Sequence, residues 1–340
     1  MLLMPEKGKQ DKSGDAKDGE RIAKVIARAG LGSRREAEAW IAAGRVAVNG
    51  AVIASAALNV GTRDRITVDG TPLPGRGRTR LFLYHKPRGL VTTHSDPQGR
   101  DTIFRALPKH LPRLVSIGRL DINTEGLLLL TNDGGLARVL ELPATGWLRR
   151  YRVRALGRVT QEALDGLKTG VTIEGVRYGP IEATLDREQG ANVWLTFAIK
   201  EGKNREVRKV LEHLGLKVNR LIRLSYGPFE LGELKEGAVR EVETPELRDT
   251  LGPAISKAAK ADFEGPLEDE PASARRPDPR AKPASKSISQ SSFEARRGRA
   301  PQDDGKSQER ERATKKKFNA RKRRADRSSG PRPSRPRPRG

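Results

Sequence analysis

The sequence predicts an α+β protein: a small helical unit, then a larger domain on a largely antiparallel β-sheet core, then a disordered basic tail. Three observations carry this prediction. Apolar residues recur at helical spacing near the N-terminus. Between 81 and 244, runs of strand length and strand composition outnumber helical ones. From 253 onward the composition turns to proline and charge. A length of 340 residues accommodates two compact domains and such a tail.

Composition narrows the function. The chain holds 67 Lys or Arg against 43 Asp or Glu, a formal charge of +24, which points to a polyanionic partner, most simply nucleic acid. Without cysteine there is no disulfide, no thiolate nucleophile and no Cys-type zinc site. The four histidines, His85, His94, His110 and His213, are too far apart in sequence to suggest a metal cluster. No apolar run approaches the roughly 18 residues of a membrane span, so a soluble, cytoplasmic protein is expected.

The expected organisation is a disordered N-terminus over 1–19, a small domain over 20–71, a linker over 72–80, a large domain over 81–250 and the tail over 251–340. In the small domain Ile22, Val25, Ile26 and Ala29 mark one helix face, and Gly30 and Gly32 stop it. Ser33 and Glu36 form a capping box for a second helix that buries Ala37, Trp40 and Ile41 and ends at Gly44. Val46 and Val48, then Asn49-Gly50, then Val52, describe a hairpin with a type I′ turn. Arg28, Arg34, Arg35 and Arg45 occupy the sides left free by the apolar residues. The words Ala29-Gly30-Leu31-Gly32-Ser33-Arg34-Arg35-Glu36-Ala37 and Gly44-Arg45-Val46-Ala47-Val48-Asn49-Gly50 resemble an S4 domain, which implies RNA binding through those arginines.

In the large domain 81–84, 114–117, 127–131, 151–156 and 193–199 are expected strands, 161–167 a helix, and 203–214 a firmer helix buried through Val207, Val210, Leu211 and Leu214. Three segments carry potential chemistry. Lys86-Pro87-Arg88-Gly89-Leu90-Val91-Thr92 is a strand end broken into a cationic loop. Gly118-Arg119-Leu120-Asp121-Ile122-Asn123-Thr124-Glu125-Gly126 is a charged loop between two apolar strands, followed by an expected turn at Thr131-Asn132-Asp133-Gly134. Glu201-Gly202-Lys203-Asn204-Arg205-Glu206-Val207-Arg208-Lys209 opens the helix, with Arg208 at the border of the buried stripe and Arg205 further out.

These three segments, in this order behind an S4-like unit, resemble the RsuA/RluB/RluE/RluF family of ribosomal RNA pseudouridine synthases over about residues 20–245. The S4 unit and basic tail fit the RluB type best. The resemblance implies an isomerase that needs no cofactor and no metal. Asp121, in Gly-Arg-Leu-Asp, matches the family's catalytic aspartate. Tyr151, in Arg-Tyr-Arg-Val, matches the tyrosine that stacks on the target base, and Arg208, in Glu-Val-Arg, the arginine that pairs with the aspartate. The chain departs from the family at Glu206, where Gln is frequent, and at Leu142-Pro143, where His-Pro is frequent.

The chemistry suits those residue types. An ionised carboxylate acts on the ribose as nucleophile or base, a nearby guanidinium favours its charged form, and an aromatic face receives a flipped-out uracil. Lys86, Arg88, Arg119, Lys203, Asn204 and Arg205 are further candidates for RNA contact. The expected substrate is ribosomal RNA, most simply of the large subunit, free or in an assembly intermediate, and the expected protein is a monomer. The rivals are the same reaction on small-subunit RNA and a non-catalytic RNA-binding assembly factor. In 253–340, 25 basic residues face 12 acidic ones among 11 prolines, so the tail is read as an electrostatic RNA-binding arm without sequence reading.

Overall fold

The structure, a computed structural model, describes residues 19–267. All of them belong to one compact unit. The segments 1–18 and 268–340, both expected to be disordered, lie outside the described residues.

The N-terminal part follows its local signals. Helices span Ile22–Arg28 and Arg34–Ala42. The capping box is closed in both directions: Glu36 N donates to Ser33 Oγ at 3.1 Å and Ser33 N to Glu36 Oε2 at 2.7 Å. Strands Val46–Val48 and Ala51–Val52 pair through a turn whose two residues have φ of 52° at Asn49 and 83° at Gly50, the left-handed pair a type I′ turn demands. Ile66–Val68 and Thr71–Pro72 complete a four-stranded sheet. Its core gathers Ile22, Ile26, Ala37, Ile41, Val46 and Val68.

The larger part is a nine-stranded sheet. Its main path runs Ile181–Gln189, Asn192–Ile199, Arg149–Leu156, Lys217–Tyr226, Glu125–Thr131, Leu81–Lys86 and Val239–Val242. Every pairing is antiparallel except the central one, where Lys217–Tyr226 meets Glu125–Thr131 in parallel over only two residue pairs, Ile222 with Glu125 and Arg223 with Gly126. Gly126, at φ 100°, is required at this seam, because a Cβ there would run into the Arg223 backbone.

Two apolar cores flank the sheet. One joins Tyr151, Val153, Leu195 and Phe197 to the helix Glu206–His213 and to Leu164 and Leu167. The other joins Leu81, Leu127 and Leu129 to the helices Gly134–Glu141 and Thr244–Ala259. No helix among the described residues is long and apolar enough to cross a membrane.

The expected tail boundary at 251 is corrected. Leu247, Leu251 and Ala259 are buried, so packed helical structure continues through Ala259. Gly252, non-helical at φ 65° and ψ 174°, ends one helical segment, and a second starts at Pro253 across the kink. Beyond the helix the chain returns to the expected linker: Thr79 N donates to Asp262 O at 2.6 Å and Arg78 N to Pro266 O at 2.9 Å.

Asp133, read from sequence as part of a turn, caps the helix Gly134–Glu141 through Gly135 N at 2.7 Å. It also accepts from Thr79 Oγ1 at 3.0 Å and Arg76 Nη2 at 2.7 Å, and Arg28 Nε of the S4-like part stands 3.7 Å away. With Asp133 only 4% exposed, its removal takes one partner each from two guanidiniums, which keep Glu20 and Lys260 O, and uncaps a helix N-terminus. Asp133→Ala is expected to lose about 3 kcal/mol in urea unfolding; an unchanged midpoint would show that the clasp contributes nothing.

Candidate active site

The loop joining the strands Val115–Ile117 and Glu125–Thr131 lies beside the parallel seam. Its backbone carbonyls are held from outside. Thr92 Oγ1 donates to Leu120 O at 2.8 Å and Gly89 N to Ile122 O at 2.8 Å. Lys86 Nζ reaches Thr124 O at 3.0 Å, Ile122 O at 3.5 Å and Pro87 O at 2.8 Å. Arg208 Nη2 donates to Asn123 O at 3.0 Å. The loop closes on itself where Thr124 N donates to Asp121 O at 2.9 Å.

With its backbone fixed this way, the loop exposes the Asp121 side chain to a cleft of about 940 Å³. Tyr151, Arg119, Arg149, Arg205, Arg208 and Arg223 line the same cleft. Tyr151 is 7% exposed and belongs to the apolar core, so the ring is both packed and presented to the cleft. Arg208 acts on Asp121 through space rather than in a closed ion pair, because its hydrogen bonds go to Asn123 O and to Val218 O at 3.3 Å. Burial lowers the Arg208 pKa from its ordinary value, and the charge of Asp121 opposes that shift.

The helix expected from 203 begins at Glu206. Arg205 before it has φ 51°, and Glu206 turns back so that its Oε2 accepts from Lys203 N at 2.9 Å. Glu206 is 3% exposed, and burial raises its carboxyl pKa. Arg149 steadies the preceding turn: its Nη1 donates to Lys200 O at 2.6 Å and its Nη2 to Tyr226 OH at 2.9 Å. Arg223 donates Nε to Leu127 O at 2.7 Å. Neither arginine was singled out from the sequence. The available signal was parity, since each sits at a position of its strand that faces inward with Tyr151.

Arg34, Arg35, Arg88, Arg119, Asn204 and Arg205 are exposed, although Arg88 Nε stands 3.8 Å from Glu125. Four other expected RNA contacts bond to groups of the protein itself, Lys203 at the surface. Arg28 is divided between Glu20 at 2.6 Å and Asp133. Arg45 closes a two-point bond on Asp69, with Nε at 2.8 Å from Oδ1. Lys203 Nζ bonds Arg177 O at 2.6 Å and Glu201. Lys86 is fully buried and serves the loop carbonyls.

Two family descriptions match this chain: "S4 domain" over residues 20–66 and "RNA pseudouridylate synthase" over 80–213. An uncharacterized RNA pseudouridine synthase of Rickettsia conorii is 45% identical over 229 residues, covering 67% of this chain and 99% of the relative. The ribosomal large subunit pseudouridine synthase B of Pseudomonas aeruginosa is 45% identical over 237 residues, covering 67% of this chain and 61% of the relative. A crystal structure of a pseudouridylate synthase is 29% identical, with a TM-score of 0.48, and covers 68% of this chain and 99% of that one. The chain belongs to the RNA pseudouridylate synthase family and carries an S4 domain in front of its synthase domain.

Lys86 yields a pH prediction. Burial pulls its ammonium from 10.5 down to about 8, while Asp121 and Glu125 pull the other way. The folded state thus releases this proton near pH 8 and the unfolded chain near 10.5. The cost of burying the charge is fully present below about 8 and relieved above it. Wild type is expected to gain stability relative to Lys86→Met between pH 8 and 10.5, by at most about 1.4 kcal/mol per pH unit. Urea unfolding of both proteins at pH 7.5 and 9.5 measures the difference; an identical change in both would contradict it.

Proposed function

We propose that this enzyme isomerises uridine to pseudouridine in ribosomal RNA of the large subunit. Asp121 is the acting carboxylate, Tyr151 the aromatic face for the target uracil, and Arg208 the cation that positions the Asp121 loop. The reaction breaks the bond from C1′ to N1, turns the base and forms the bond from C1′ to C5. C5 loses a proton and N1 gains one, so the reaction balances without a co-reactant. The single observation that carries the reading is the common cleft: Asp121, Tyr151 and Arg208 come from three separate elements and all line it. The choice of RNA is supported by relatives named ribosomal large subunit pseudouridine synthase B in Pseudomonas aeruginosa and Haemophilus influenzae.

A base paired in a helix cannot reach Asp121, so the target uridine is flipped into the cleft, and unstacking costs a few kcal/mol. Of the arginines lining the cleft, Arg119 and Arg205 are exposed and suit phosphates on either side of the target. The domain division this reading uses places RNA affinity in 20–71 and chemistry after the linker at 72–80.

Release of tritium from C5-labelled uridine in a large-subunit rRNA transcript tests the assignment. Wild type is expected to release it, and Asp121→Asn to release it at least 10³-fold more slowly while binding the transcript within about twofold of wild type. Equal release from both proteins would remove Asp121 from its role. A chain ending at residue 267, which keeps the whole helix Thr244–Ala259, is expected to bind the transcript more weakly and with a shallower dependence on salt. Its single-turnover rate should stay nearly unchanged. A salt slope equal to that of the full chain would show that residues 268–340 do not engage RNA.

A further inference from the structure

The reaction does not use the sheet face opposite the cleft. On the strand Arg149–Leu156, Tyr151, Val153 and Ala155 point into the core while Arg150, Arg152 and Arg154 are exposed. The pairing register places Arg152 opposite Thr196 and Arg154 opposite Trp194. Arg187, on the far side of Trp194, is opposite the same residue. The Trp194 ring lies between two guanidiniums, Arg152 at 5.2 Å and Arg187 at 5.4 Å. Stacking engages the flat faces of these groups and leaves their in-plane donors unspent.

Three arginines at alternate strand positions stand about 6.7 Å apart, and like charges at that spacing repel. Among the described residues none of Arg150, Arg152 and Arg154 makes an ion pair. The acids nearby are spoken for or lie at the margin: Asp186 accepts from Thr196 Oγ1 at 3.0 Å, Glu188 pairs with Arg158 at 2.7 Å, and Glu182 sits on the outermost strand. A row of guanidiniums without ion pairs, spaced by a strand and with Arg152 over a tryptophan ring, matches the regular negative charge of a sugar-phosphate backbone, which guanidinium binds through paired hydrogen bonds.

We propose that this face binds the backbone of an RNA segment remote from the target uridine, on the same RNA that enters the cleft. The proposal rests on the reading of this chain as an rRNA pseudouridine synthase. Because the face is turned away from Asp121, the segment it holds belongs to a neighbouring helix or strand of a structured RNA, not to the stem that presents the uridine. The surface thereby favours a long, folded substrate over an isolated stem-loop.

The test uses full-length protein with Arg150, Arg152 and Arg154 all changed to Gln, the same three changed to Lys, and wild type. Circular dichroism verifies folding, which these exposed positions should not disturb. Two RNAs are compared: a long large-subunit transcript that wild type modifies, and its shortest trimmed form that is still modified. On the long RNA the Gln variant is expected to bind at least tenfold more weakly. Its slope of log affinity against log salt should be shallower by about two to three, at roughly 0.7–0.9 for each phosphate no longer neutralised. The Lys variant should keep most of that slope, and all three proteins should modify the trimmed RNA at equal rates. Unchanged affinity and slope on the long RNA would overturn the proposal. So would an equal loss on both RNAs, which would put the face on the target stem, or a wild-type dimer that the Gln variant dissolves in sedimentation, which would make the face an interface between copies. If wild type modified no large-subunit transcript, the activity reading alone would fail, since affinity and salt slope on a long transcript report on the face independently.

Discussion

The site depends on how the peptide carbonyls from 120 to 124 are satisfied. A loop that turns a carboxylate outward must turn carbonyls inward, and buried carbonyls without donors are costly. Here Lys86 at a strand end and Gly89 and Thr92 in the loop after it supply those donors, and Arg208, on a helix distant in sequence, adds one to the exposed Asn123 O. The arrangement explains why a lysine is fully buried and why an arginine on the cleft wall spends its hydrogen bonds on backbone. Asp121 stays exposed in the cleft, and the basic groups around it act by proximity and not by direct pairing.

The parallel seam gives that loop its place. Where the strands Lys217–Tyr226 and Glu125–Thr131 meet, only two residue pairs are in register, and the absence of a side chain at Gly126 lets the two backbones approach. The sheet also divides its work by parity. Along Arg149–Leu156 one set of alternate residues builds the core and cleft, and the other builds a cationic outer surface. At the other end of the sheet, helices cover the corresponding face, and the segment after the last helix ties them to the chain between the two domains. Asp133 extends that tie to Arg28, so the S4 domain and the synthase domain share a buried charge.

What was legible in the sequence was local. The capping box at Ser33, the Asn49-Gly50 turn and the stripe of Val207, Val210 and Leu211 depend on residues a few positions apart, and each is present in the structure. The loop carrying Asp121 was legible as a charged interruption between apolar strands. Partners far apart in the chain were not. Arg28, Arg45, Lys86 and Lys203 read as free cations because the groups that engage them, from Glu20 and Asp133 to Asp69, the loop carbonyls and Arg177 O, are set by tertiary folding. The tail was placed from 251 because the composition beyond it turns to proline and charge, and composition does not register the burial of Leu251 and Ala259 that keeps a second helical segment packed.

The central claim is that a clamped backbone, and not a paired carboxylate, gives Asp121 its working position. Arg208→Met removes the donor to Asn123 O while leaving an unbranched side chain on the helix. Single-turnover isomerisation at saturating enzyme, read beside RNA affinity, tests the claim most directly. The account predicts a rate at least 10²-fold below wild type with RNA binding changed by no more than a few-fold. A rate within twofold of wild type would contradict it.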